Sequence, residues 1–132
     1  SVSRLELIEG QLLGLYWWLL EHQAEARSWT GELVTVFGEA GWSEREHFWQ
    51  DKKSTLLFEA EQTFADRPFE QLQAVWTELI GNWRQEKTRL AFKEATAALA
   101  IAEASGDQTA IDEALRHCQT LSQEINNFVI MQ

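Results

Sequence analysis

The chain has 132 residues, 45% of them hydrophobic, with one proline, seven glycines and a formal net charge of −10. This apolar content suffices for a folded domain with a true core and excludes a disordered tail. The acidic balance argues against a surface that grips nucleic-acid phosphate, which relies on clustered Lys and Arg.

The longest apolar run, residues 12–20, falls far short of the roughly 20 residues that span a bilayer. No charged-then-apolar leader opens the chain, so a soluble, cytoplasmic protein without membrane contact is expected. Ser1 in place of an initiator Met suggests a piece of a longer protein. The single cysteine, Cys118, excludes an intrachain disulfide, fits a reducing compartment, and reads as a small buried hydrophobe on the last helix.

Strand-like alternation is absent, and the predicted fold is all-α. Residues 3 to about 23 form a first helix, apolar over most of its circumference through Leu5, Ile8, Leu12, Leu15, Tyr16 and Leu19. Gly10 and Gly14 lie four apart in it, which suggests close approach of a second helix. Ser28 is placed to cap a short helix carrying Leu33, Val34 and Phe37 and ended by Gly38 and Gly41. Ser43-Glu44-Arg45-Glu46 reads as a capping box that starts one helix bearing Phe48, Trp49, Lys52, Leu56, Ala60 and Phe64. Asp66-Arg67-Pro68 then ends that helix and starts the next.

From about residue 68 a stripe of Leu72, Trp76, Leu79, Trp83, Leu90, Ala91, Ala95, Leu99 and Ala102 predicts one long helix, with Phe92 and Ile101 off the stripe. Gly106 is its left-handed stop, and Asp107 caps the returning helix. That helix carries Ile111, Ala114, Leu115, Cys118, Leu121, Ser122, Ile125, Phe128 and Val129, placed to lie back on Leu99, Ala95 and Ala91. Five of the seven tryptophans precede residue 50, and none follows Trp83. The expected organisation is therefore a bulky helical bundle over 1–90 and a slimmer C-terminal helical hairpin over 91–132, the long helix being shared from about 68.

Two antiparallel helices bury only the strip between them, so such a hairpin has apolar surface to spare. Its ending, Phe128-Val129-Ile130-Met131, is apolar where termini usually fray, and this marks a contact device. The candidate partner-binding residues are Ile111, Leu115, Ile125, Phe128, Val129, Ile130 and Met131, with Arg116 and Glu124 as rim charges. Beyond Lys93 six acidic residues face only Arg116, which suits a basic or apolar partner. Arg84, Lys87, Arg89 and Lys93 read as a solvated face with Glu86 and Glu94 among them. The three histidines show no ligand spacing, and no nucleophile elbow or phosphate loop occurs. Catalytic residues, metal and cofactor are accordingly all predicted absent, and the tryptophans are read as core rather than as a ligand platform.

The first-helix pattern Glu9-x-x-Leu12-Leu13-Gly14-Leu15, the aromatic-rich middle, and residues 90–103 leading through Ala104-Ser105-Gly106-Asp107 into Leu115 and Leu121-Ser122 resemble the C-terminal helicase-binding domain of bacterial DnaG-type DNA primases. The most specific part is Ile101-Ala102-Glu103-Ala104-Ser105-Gly106-Asp107, which looks like that family's hairpin turn. The resemblance implies a non-catalytic domain that docks on the N-terminal domains of the replicative DnaB-type helicase, recruits primase to the primosome and modulates the helicase. The primer-synthesising and zinc-binding domains would lie outside this chain. It also implies a monomer when alone, whose helicase binding is weakened by Phe128→Ala with Ile130→Ala. The alternative reading is a self-associating helical module, such as the related N-terminal domain of the helicase itself.

Overall fold

The computed structural model describes residues 2–22 and 28–131, with side chains as far as Val129. Among these residues there are six α-helices and no strand: α1 Arg4–His22, α2 Trp29–Phe37, α3 Glu39–Trp49, α4 Lys53–Phe64, α5 Phe69–Ser105 and α6 Gln108–Met131. The fold is all-α. Contacts divide the chain into unit 1, residues 1–82, and unit 2, residues 83–132, and the division falls within α5.

Unit 1 is organised around α1, whose residues 8–10 and 12–19 are all buried. Its closest companion is α4, and the two glycines explain the closeness. A Cβ on Gly14 would stand 3.0 Å from the Leu56 carbonyl oxygen, and one on Gly10 would meet the Trp49 ring at 3.4 Å. The polar groups inside this packing are partnered. The buried Glu9 carboxylate accepts from Arg45 Nε at 3.3 Å and Trp49 Nε1 at 3.4 Å, tying α1 to α3. Trp18 Nε1 donates to Glu61 on α4 at 2.5 Å, and Trp76 Nε1 to Glu32 on α2 at 3.3 Å. Indole N–H groups must find acceptors when buried, and in each of these pairs a carboxylate from a second helix supplies one.

Ser28 caps α2 as expected, its hydroxyl accepting from the Gly31 N–H at 3.2 Å. The next boundary differs from the sequence reading. The following helix begins at Glu39 and not at Ser43, because Gly38, at φ 77°, closes α2 and opens α3 in one step. Gly41 and Ser43 both lie inside α3, where Trp42 is buried with its ring edge-on to Tyr16 at 5.0 Å. That tertiary contact outweighs the capping-box signal. The single helix expected through Phe64 is likewise two, broken by a 3-10 turn at Gln50–Lys52. The break lets Trp49 pack on Gly10 while Leu56 packs on Gly14. Pro68 stands just before α5, as its ring requires.

Unit 2 is the end of α5 and the whole of α6, antiparallel about Gly106. Gly106 has φ 74°, and its N–H reaches the carbonyls of Ala102 and Glu103 at 3.2 and 3.3 Å. Asp107 Oδ1 then accepts from the N–H groups of Thr109 and Ala110 at 3.1 and 3.4 Å, capping α6. The seam between the helices is built on Ala95, Cys118 and Leu121, surrounded by Ala91, Phe92 and Leu99. Phe92, expected off the stripe, belongs to this seam.

Candidate hairpin interaction surface

The seam of unit 2 combines the small Ala91, Ala95 and Cys118 with the larger Phe92, Leu99 and Leu121, and it does not take in every large apolar side chain of the two helices. Two of those on α6 are displaced outward. Leu115, expected in the seam, is 42% exposed, and Val129 is 68% exposed. They are fourteen residues apart, nearly four turns, and therefore share one flank of α6, with Ser122 midway between them. Ile111, Ile125 and Phe128 are half-buried, while Arg116 and Glu124 are exposed. The expectations for Ile130 and Met131 lie outside the described side chains.

The structure brings Ile125, Phe128 and Val129 together with Gln85 and Arg89 of α5 around a cleft of about 110 Å³. Arg89 is held at this cleft by the carboxylate of the buried Glu86, 3.0 Å away. Gln85 and Arg89 are absent from the sequence-derived site. The sequence reads Arg89 as part of a solvated face with Glu86 among its neighbours, and the two do pair; its place at the cleft depends on how α6 returns along α5. On α5, Ile101 is 72% exposed and Leu90 38%. Eleven residues separate them, so they lie on one helical face, a second apolar strip.

Unit 1 carries a separate groove of about 230 Å³, floored by Gly10, Gly14, Leu56 and Leu79, with Glu59 and Thr63 among its lining. In the same unit, burial pushes the Tyr16 phenol above its usual value of 10.0. The hydrogen bond to Thr30 opposes that shift and the charge of Glu46 adds to it. Among the described residues no group of three or more His, Cys, Asp or Glu side chains is arranged to hold a metal ion, and no helix is long and apolar enough to cross a membrane.

What the hairpin offers chemically is apolar contact area beside fixed rim charges, the material of a protein-binding surface. The molecule thus stands as an all-α protein with a helical hairpin in its second unit. In comparisons with known proteins, no family model, no curated protein and no solved structure matches it.

Proposed function

We propose that the chain is a non-catalytic protein-docking domain whose contact device is the hairpin of unit 2. The single observation that carries this reading is the outward flank of α6, where Leu115 and Val129 stand exposed on either side of Ser122. An amphipathic helix that docks in a partner's groove does so through apolar side chains in register along one face. The adjoining cleft, with Phe128 in its wall and Arg89 at its side, supplies a recess for an anchor from the partner.

The partner proposed is the N-terminal region of a bacterial replicative helicase, and the chain is proposed to be the helicase-binding domain of a DnaG-type primase. Support for that finer reading comes from the hairpin turn at residues 101–107 and the acidic surface beyond Lys93. In this role the domain works in the cytoplasm without a cofactor and without touching nucleic acid, and any catalysis belongs to other parts of the parent protein. Size-exclusion chromatography with light scattering on the chain mixed with the replicative helicase of the same organism tests it. Co-elution is the expected result, and two independent peaks at micromolar concentration would refute the assignment of the partner.

A further inference from the structure

The charges on the hairpin follow an order that a docking surface for a uniformly charged partner would not need. On α5, Arg89, Thr96 and Glu103 recur at seven-residue intervals, and on α6, Leu115, Ser122 and Val129 do the same. Seven residues are nearly two turns, so each trio runs along one flank of its helix. Arg89 and Val129 line the same cleft, which puts both flanks on one side of the hairpin. Because the helices are antiparallel about Gly106, that side reads in a fixed order. Arg89 and Val129 stand at the open end, Thr96 and Ser122 in the middle, and Glu103 and Leu115 toward the turn.

All of these except the half-buried Ser122 are exposed. Lys93, four residues after Arg89, adds a second cation toward the positive end, where the buried Glu86 carboxylate already pairs with Arg89 at 3.0 Å, and Asp112, three before Leu115, strengthens the negative end. The two ends lie about 21 Å apart at 1.5 Å per residue. Turned end for end, this pattern is its own complement. A two-fold axis through Thr96 and Ser122 sets Arg89 of each copy on Glu103 of the other, and Val129 on Leu115, with small hydroxyl-bearing side chains where the helices cross closest.

We propose that unit 2 pairs with a second copy of this chain, hairpin against antiparallel hairpin, through this side. A face roughly 20 Å wide and 21 Å long covers about 400 Å² per copy, half of the ~800 Å² per partner found in stable complexes. The dimer is therefore weak, and the net charge of −10 weakens it further. It forms on concentration and dissociates on dilution, which reconciles it with the monomer expected of the isolated chain. Leu115 and Val129 serve both the self-contact and the docking proposed above, so a bound helicase and a second copy exclude each other. The pairing rests on the charge order alone and stands whether or not the helicase is the partner.

Sedimentation equilibrium of the full chain at low salt, from micromolar to millimolar concentration, tests the pairing. The mass should rise with concentration from 15.2 kDa toward twice that value. Arg89→Glu and Glu103→Arg should each weaken association roughly tenfold, since each makes both exposed cross-pairs repulsive. An equimolar mixture of these two variants should associate as well as the wild type, because every cross-pair is again opposite in sign, and the double variant should recover for the same reason. This recovery cannot come from misfolding. A chain monomeric throughout, or a dimer indifferent to the reversals, or single variants that do not recover on mixing, would overturn the pairing. Loss of helicase binding with the recovery intact would overturn only the proposed function.

Discussion

Replacing Gly14 by alanine probes the closest approach in unit 1. Alanine gains about 1 kcal/mol over glycine in a helix interior. Against this, the new Cβ would stand 3.0 Å from the Leu56 carbonyl oxygen and 3.5 Å from the Leu56 Cβ. The near atom is backbone inside α4, so no rotamer change relieves the contact, and α4 itself must shift by a few tenths of an ångström. Overpacking of this kind costs about 1–3 kcal/mol, and the expected net loss is about 1 kcal/mol. Gly81, in α5, is the control, since a Cβ there meets nothing within 4 Å. Gly81→Ala should stabilise by about 0.5–1 kcal/mol. The two substitutions should thus differ by about 2 kcal/mol, roughly 8–16 °C in midpoint for a unit of this size, read by circular dichroism during thermal unfolding. Equal stability of Gly14→Ala and Gly81→Ala would refute the argument that α1 and α4 need a glycine between them.

Further outcomes follow from single contacts. Ser28→Ala removes the hydroxyl that caps α2 and should cost about 1 kcal/mol in urea unfolding; an unchanged midpoint would mean that the cap contributes nothing. Tyr16 is the only tyrosine, so its ionisation can be followed by ultraviolet absorbance. Its folded-state value is raised, by burial first, and folding therefore disfavours the phenolate. The stability held by the neutral phenol is fully present below pH 10.0 and is lost as pH rises from there through the folded value. A native midpoint at or below 10.0 would contradict the burial of that ring.

Much of the fold was legible because local chemistry and tertiary packing agreed. Ser28, Pro68, Gly106 and Asp107 each satisfy a backbone need that no neighbour alters, and the boundaries they imply are the ones observed. The middle of unit 1 was harder to read because local and tertiary signals conflict there. Ser43 carries a capping signal, but Trp42 must be helical to reach Tyr16, and Gly38 can reverse the chain in one residue at φ 77°. The break at Gln50–Lys52 has no glycine or proline to announce it, and only the separate demands of Trp49 and Leu56 on α1 explain it.

The candidate surface was half legible. Periodicity finds the apolar residues of α6, but it cannot say which of them the seam has room for. The seam closes on Ala95, Cys118 and Leu121, and Leu115 and Val129 are left outside it. Arg89 and Gln85 were hidden for a different reason, since their place depends on how α6 returns along α5. Glu9 is a buried carboxylate in a run that reads as ordinary polar positions, and its partners on α3 come into view only in three dimensions, whereas the buried Glu86 has its partner Arg89 three residues along the same helix.

The central claim is that the outward flank of the hairpin docks a helicase, and the most direct measurement is a calorimetric titration of the helicase with the wild-type chain and with Leu115→Asp/Val129→Asp. Both residues are solvent-exposed, so the variant should keep its helicity and its thermal midpoint. Saturable binding by the wild type and at least roughly tenfold weaker binding by the variant are expected, since truncating or charging an interface anchor costs more than about 1 kcal/mol. Equal binding by the folded variant, or none by the wild type, would contradict that claim.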